Sequence, residues 1–248
     1  EGRHAPHQQT RALYRLLNRV KKAYPEVSIE TCASGGGRAD LGILEYTSRV
    51  WPSDTNDALD RLRVQRGFQN LFPSELMGSH VGPSPCHITG RQQSMAFRAG
   101  VAFWGHMGVE ADVRQLSDAD HQVLSEAIAL HKHHRELIHG GTYQVVDRPA
   151  GEQAWIVLAP DHSEALAALA MLETPSTPFP NRYRFIGLDA DRHYELKLVW
   201  PGDLRPKQKN HKDELSDAHW SGDWLMSVGL SLPILQPESL LIYHLKAV

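Results

Sequence analysis

The sequence predicts an α/β part over residues 1–141, followed by an all-β part over residues 142–248. Strand-like and helix-like patterns alternate along the first part, which is typical of parallel strands joined by crossover helices. Beyond residue 142, short apolar runs follow one another between Pro, Gly, Asp and Asn clusters, which is typical of an antiparallel β-sandwich. Only residues 139–142 join the two parts, so we expect the two parts to pack together.

The first part opens with a helix. "QTRALYRLLNRVKKAY" places Leu13, Leu17 and Val20 on one helical face, and Pro25 ends the pattern. Four strands are predicted to follow, at residues 27–32, 49–51, 77–81 and 101–104. Further helices are predicted around residues 39–47 and 58–68.

The last helix of the first part is predicted to begin at Ser117. Its hydroxyl can cap the helix, with Asp120 at the reciprocal position, and Gly140 and Gly141 mark the end. The strands of the second part are predicted in the segments "TYQVVD", "AWIVLAP", "RYRFIGL", "YELKLVW" and "SLLIYHLKA". Four parallel strands fit either a small doubly wound domain or half of an eight-stranded barrel.

Composition excludes several classes of protein. With 248 residues and 41% hydrophobic content the chain can bury a sizeable core, and a net charge of -3 provides no broad basic surface for nucleic acid or anionic membrane. No apolar run approaches the ~18 residues of a spanning helix. Two cysteines argue against a disulfide scaffold, so we expect a cytoplasmic location. From the charge and the lack of a spanning run, we expect no nucleic-acid or membrane partner. Because the sequence begins at Glu1 rather than Met, a signal peptide could precede it.

A glycine-rich loop follows the first predicted strand. Gly35, Gly36 and Gly37 would let backbone amides approach a ligand such as a phosphate, but neither the Walker spacing nor G-x-G-x-x-G is met. A tight turn with no ligand is the alternative interpretation. Cys32, at the start of the loop, could be a nucleophile, although a small thiol packed near a ligand fits better because no His is near it in sequence.

Asp54 follows the second predicted strand. It could cap the next helix, but Thr55, Asn56 and Asp57 can fill that role, which leaves Asp54 available for chemistry. Asp57 has Arg61 one turn later and is predicted to form a surface pair with it. If the first part belongs to a barrel, the loops at Cys32 and Asp54 lie at the carboxyl ends of neighbouring strands, where barrels place their active sites.

Two histidine-rich segments are candidate metal sites. His131 and His134 share a face of the predicted last helix, with His139 beyond them. No cysteine or carboxylate except Glu136 stands at ligand spacing beside them, so a solvated helix face is predicted. The loop "MGSHVGPSPCHITGR" carries the others and is predicted to wall a site rather than bind a metal, through His80, His87 and Arg91. The sequence predicts neither a metal nor another cofactor.

Four motifs in order, "CASGGGR", "VWPSDTNDALDRLRVQ", "MGSHVGPSPCHITGR" and "GVAFWGHMGVEADV", resemble the α-galactosidases of glycoside hydrolase family 36. "SGDWLMSVGL", at residues 221–230, extends the resemblance to that family's C-terminal sandwich. The resemblance implies the C-terminal half of a (β/α)8 barrel over residues 1–141 and a β-sandwich over residues 142–248.

The resemblance also implies site residues and an activity. Asp54 corresponds to the general acid/base of a retaining enzyme that hydrolyses terminal α-galactosyl groups of sugars such as melibiose and raffinose. Cys32, Ser34, Gly35 and Trp51 correspond to the wall of the galactose pocket. The complete enzyme could also be a homo-oligomer.

The family's nucleophilic aspartate follows a Lys-Trp-Asp motif upstream of the glycine loop, and no such motif occurs between Glu1 and Ile29. We therefore expect either a piece of a longer enzyme, inactive alone, or a chain completed by another chain. The alternative function, from another class, is a non-catalytic carbohydrate-binding or assembly module.

Overall fold

The structure is a computed structural model that describes residues 5–175, 180–202, 215 and 219–248. The elements of the first part are, in chain order, α1 (Pro6–Ala23), β1 (Glu30–Thr31), β2 (Arg49–Val50), α2 (Ala58–Gln69), β3 (Gly78–Val81), α3 (Met95–Ala102), β4 (His106–Val109) and α4 (Asp118–Gly140). No helix in the described ranges is both long enough and apolar enough to cross a membrane.

The four short strands are parallel and adjacent in chain order. β1 pairs with β2, a single bridge joins Val50 of β2 to Met77 at the start of β3, and β3 pairs with β4. Because parallel neighbours end at the same edge of a sheet, the loops that follow β1 and β2 come together. The predicted parallel arrangement is confirmed.

The predicted position of the fourth strand is wrong. Residues 101–104 lie at the end of α3 and in the turn after it, and the strand is His106–Val109. Ser94 begins α3 by accepting a hydrogen bond from the Phe97 amide, and nearly every residue of the helix is buried. A helix buried on all sides shows no helical periodicity, so its apolar run resembles a buried strand.

Two other predictions about helices have opposite outcomes. Of residues 39–47, predicted to be helical, only Ile43–Glu45 form a single 3₁₀ turn. The start of α4 is confirmed, since the Ser117 hydroxyl accepts a hydrogen bond from the Asp120 amide at 3.1 Å.

The second part is a six-stranded antiparallel sheet, which begins one residue after the Gly141 that follows α4. The strands are β5 (Thr142–Val146), β6 (Glu152–Leu158), β7 (Glu164–Met171), β8 (His193–Trp200), β9 (His219–Ser221) and β10 (Ser239–Ala247), in the spatial order β5-β6-β7-β10-β8-β9. A short helix, α5 (Gly222–Ser227), and the segment that contains Tyr183 and Phe185 cover the face opposite α3 and α4.

The central strand β7 was not predicted, because "EALAALAM" is rich in Ala, a helix former. Its residues alternate between two cores: Leu166, Ala168 and Ala170 face the first part, and Ala167 and Leu169 face the opposite layer. Small side chains on both faces allow the layers to pack closely. Tertiary burial therefore outweighs local propensity here.

The strand predicted at "RYRFIGL" is wrong. Among these residues only Tyr183 makes a β-bridge, with Leu230, and the segment packs as an irregular layer over the sheet.

The two parts pack directly on each other, as expected. Trp200 of β8 donates its indole N–H to the carbonyl of Ala96 in α3 at 3.0 Å. A side chain at Gly100 of α3 would come within 2.8 Å of the same indole nitrogen. The glycine thus permits close contact between helix and sheet, and the sheet supports the helices that surround the strand-end loops.

Candidate functional site

Two side chains meet where β1 and β2 end. The Sγ atom of Cys32 lies 3.9 Å from Oδ1 of Asp54, and both residues are exposed. Cys32 directly follows β1, and Asp54 lies four residues after β2. The structure therefore brings together the two residues that the sequence suggested for chemistry.

The glycine loop packs against the backbone of the Asp54 loop. Gly35 has φ +72°, and a Cβ on it would lie 2.8 Å from the Cα of Ser53 and 3.1 Å from the amide nitrogen of Asp54. A Cβ on Gly36 would lie 2.9 Å from the Pro52 carbonyl oxygen. These close approaches explain the glycines without a phosphate. Ser34, with φ +50°, is an exposed residue beside them.

Trp51 lies beneath the Asp54 loop and is only 7% exposed. Its ring is 4.2 Å from the ring of His80 in β3, and the Arg61 guanidinium lies 4.6 Å from its centre. A Cβ at Gly78 would be 3.0 Å from Cε3 of the indole. Trp51 is therefore held on three sides, so its ring is a rigid support for the loop that follows.

Arg61 of α2 holds the Asp54 loop through its backbone. Its guanidinium donates to the carbonyls of Ser53 at 3.1 Å and Gly78 at 2.6 Å. Burial lowers the pKa of Arg61 to about 10, so the side chain stays charged at neutral pH. The predicted surface pair of Asp57 with Arg61 is wrong, because both side chains are buried and each has other partners.

Asp57, not Asp54, caps α2. Its carboxylate accepts hydrogen bonds from the amides of Leu59 at 3.0 Å and Asp60 at 3.2 Å, and also from the Thr89 hydroxyl. Arg91 lies 2.9 Å away and forms an ion pair with it. Burial alone would raise the pKa of Asp57, but these bonds outweigh burial and lower it. Asp54 is thus free of the capping role, as the sequence suggested.

The three residues predicted to wall a site, His80, His87 and Arg91, have different roles. His80 lies against Trp51, and its Nδ1 is 3.0 Å from Glu110. Partial burial raises the pKa of Glu110, but hydrogen bonds and nearby charges, led by the bond with His80, together lower it. Arg91 braces α2 through Asp57, while His87 is exposed.

The prediction that the α4 histidines form a solvated face is wrong for two of them. His131 and His134 are 7% and 4% exposed. His131 Nδ1 is 3.0 Å from the Phe103 carbonyl oxygen. Burial, followed by the charges of His244 and His133, lowers the pKa of His134 to about 4. His139 is half-buried, with Nε2 3.2 Å from the Gly105 carbonyl oxygen.

Sequence reasoning missed Thr89 altogether and placed Arg91 in the wall of the site, not at Asp57. The partners of Asp57 at Thr89 and Arg91 lie more than thirty residues away in the chain. No local pattern links residues across that distance. The proline- and glycine-rich composition of the loop that carries them was the one available signal, since it marked the loop as irregular.

Comparisons with known proteins show which family the chain matches. Residues 1–141 match the family model described as melibiase, and residues 152–245 match the glycosyl hydrolase family 36 C-terminal domain. An α-galactosidase of Escherichia coli is 39% identical over 99% of this chain, which covers 36% of that protein. α-Galactosidase 1 of Pediococcus pentosaceus is 34% identical over 98% of this chain and 31% of its own length. The chain therefore spans about a third of the length of these relatives.

Solved structures show the same similarity. The α-galactosidase AgaA of Geobacillus stearothermophilus superposes with a TM-score of 0.84 at 32% identity, covering 95% of this chain and 31% of that one. A variant of AgaA in complex with raffinose superposes with a TM-score of 0.84 at 31% identity over the same shares. These structures confirm the predicted fold class, the later part of a (β/α)8 barrel followed by an antiparallel β-sandwich.

Proposed function

Because the chain belongs to the melibiases of glycoside hydrolase family 36, we propose that the protein containing it is a retaining α-galactosidase with Asp54 as general acid/base. The observation that carries the proposal is the exposed Asp54 carboxylate, 3.9 Å from Cys32 at the carboxyl ends of two parallel strands. Its neighbour Asp57 caps α2, so Asp54 is not needed as a helix cap.

A retaining glycosidase needs two carboxylates about 5–5.5 Å apart. One attacks the anomeric carbon while the other protonates the departing oxygen. In this proposal Asp54 gives its proton to the glycosidic oxygen as that bond breaks, and then takes a proton from the water that releases the sugar. The nucleophile is a carboxylate outside residues 1–29, in the same polypeptide or a partner chain, because the Lys-Trp-Asp motif is absent from that segment.

The neighbouring residues would shape the galactose pocket. Cys32, Ser34 and Gly35 are small, so the sugar can approach the ends of the strands, and the rigid Trp51 would form a wall or floor. Arg61 acts as a positioning residue, since it touches the Ser53 carbonyl rather than the substrate. Trp51 and Arg61 therefore hold the loop that carries Asp54 in a fixed position.

The substrate class rests on the relatives. Variants of Geobacillus AgaA have been solved in complex with raffinose and with stachyose. We propose the same class here, oligosaccharides that end in an α-galactosyl group, with no cofactor taking part in the reaction. We also propose that residues 1–141 and 142–248 are the two domains of this region.

The function is tested by following the reaction of the complete protein by proton NMR. With an aryl α-galactoside, we expect the α-anomer of galactose to appear first and the β-anomer to grow in by mutarotation. Initial release of β-galactose would contradict a retaining mechanism. Failure to hydrolyse α-galactosides would favour the non-catalytic binding module.

A further test of the site is Gly35→Ala. The added Cβ would meet the backbone of Ser53 at 2.8 Å, so the Asp54 loop must shift. We expect kcat/KM to fall on the order of a hundredfold, the effect of misplacing a catalytic group by about 1 Å. The control is Gly151→Ala, since Gly151 has φ +86° but an added Cβ would meet only side-chain atoms of Glu173, the nearest at 3.3 Å. Both variants should lose about 1 kcal/mol of stability, because alanine disfavours a left-handed backbone. Equal kcat/KM values for Gly35→Ala and Gly151→Ala would contradict the role of Gly35.

A further inference from the structure

Three potential metal ligands converge where the barrel part meets the sheet. His134 comes from α4, Glu164 from the start of β7 and His244 from β10. β7 and β10 are paired with Leu166 opposite His244, so Glu164 and His244 are diagonal neighbours on one face. That face is the one turned toward α4, because Leu166 and Ile242, two residues from Glu164 and His244 respectively, belong to the core shared with α4.

The distances among these side chains are short. Nε2 of His244 lies 2.6 Å from Oε1 of Glu164, and Nδ1 of His134 lies 3.8 Å from the same oxygen. The two imidazole rings are 4.7 Å apart, and one ligand atom from each residue lies within 4.8 Å of the others. The contact at 3.8 Å is too long for a hydrogen bond. The buried His134 thus faces the other two residues without a short bond to either of them.

We propose that His134, Glu164 and His244 form a binding site for a divalent transition-metal ion such as Zn²⁺. Two imidazoles and one carboxylate are a common protein ligand set for zinc, with bonds of about 2.0–2.2 Å. In a tetrahedral site such bonds place ligand atoms about 3.4 Å apart, so no pair needs to move by more than about 1.5 Å. Glu164 is 37% exposed, which leaves room for a water molecule as fourth ligand.

The surrounding charges permit a cation. Lys197 lies opposite His244 on β8, but its ammonium is 2.6 Å from Glu195, which offsets its charge. His133 is exposed and its ring lies 4.6 Å from that of His134. This site is independent of the proposed hydrolase function, and its expected effect is to tie the last helix of the barrel part to the sheet.

The test is a calorimetric titration of the complete protein, stripped of metal with a chelator, with ZnCl₂. We expect one tight site per chain, and removal of a ligand should weaken binding by at least about a hundredfold. The variants are His134→Ala, His244→Ala and the shape-conserving Glu164→Gln, which keeps the proposal testable if an alanine variant folds poorly. The control is His121→Ala, an exposed histidine near the other end of α4, which should bind zinc as the wild type does.

Thermal unfolding provides a second measurement. Zn²⁺ should raise the Tm of the wild type and of His121→Ala, but not that of Glu164→Gln. The proposal is overturned if the wild type binds no zinc, if Glu164→Gln binds it as tightly as the wild type, or if only His133→Ala removes binding. The last result would assign the ion to the exposed histidines of α4.

Discussion

The Asp54→Asn variant of the complete protein is expected to lose hydrolysis of raffinose, by a factor of roughly 10²–10⁴. An asparagine cannot donate a proton, so a poor leaving group such as a sugar alkoxide departs slowly. Activated aryl α-galactosides need little protonation and should still transfer galactose to the enzyme. Hydrolysis of the glycosyl-enzyme should then become limiting because no base activates water. Initial rates with raffinose and with a nitrophenyl α-galactoside measure the two effects.

A matched control separates this effect from a general loss of charge. Asp118→Asn removes an exposed carboxylate in the first turn of α4 and should leave both rates unchanged. If Asp54→Asn cleaves raffinose at the wild-type rate, Asp54 is not the acid/base. Helix capping could not then explain Asp54 either, because Asp57 caps α2.

The Asp57→Ala variant is expected to lose about 2–4 kcal/mol of stability, from the lost cap and the charge-assisted bonds. Asp57 is 0% exposed, and its removal leaves the Thr89 hydroxyl and two backbone amides without their acceptor. Denaturant unfolding of the complete protein measures the change. Because Arg91 braces the helix through Asp57, activity should fall as well, through a looser Asp54 loop.

Asp60→Ala is the control for Asp57. Asp60 also pairs with Arg91, at 3.1 Å, but it is partly exposed, so its loss should cost less than about 1 kcal/mol. Equal destabilisation by the two variants would contradict the buried cap.

The stabilisation by Asp57 also depends on pH. Its pKa is lowered in the folded state, so the stabilisation is present above the unfolded value of about 3.9 and is lost as pH falls through the folded pKa. The stability difference between the wild type and Asp57→Ala should therefore shrink in acid.

Local sequence patterns were sufficient to predict features that depend on single elements or on elements consecutive in the chain. The parallel strands could be predicted because apolar runs and turns alternate, and the meeting of Cys32 with Asp54 followed because consecutive parallel strands end together. α3 and β7 were not predicted because both are buried on all sides. Neither has a solvent-facing side, so the spacing of apolar and polar residues shows no helical or strand period.

Long-range partners could not be predicted from spacing. Arg91 pairs with Asp57 from more than thirty residues away in the chain, and Glu164 and His244 of the sheet lie beside His134 of α4. The sequence showed these residues only as separate charges and histidines. Tertiary structure alone brings them together.

The most direct test of the central claim is the product that Asp54→Asn forms from an aryl α-galactoside in the presence of azide. If Asp54 is the acid/base, the nucleophile is intact, and azide attacks the glycosyl-enzyme from the face where water would enter. Proton NMR should then identify α-galactosyl azide, with turnover restored. Formation of β-galactosyl azide would contradict the account, because that product arises when the nucleophile has been removed and azide takes its place.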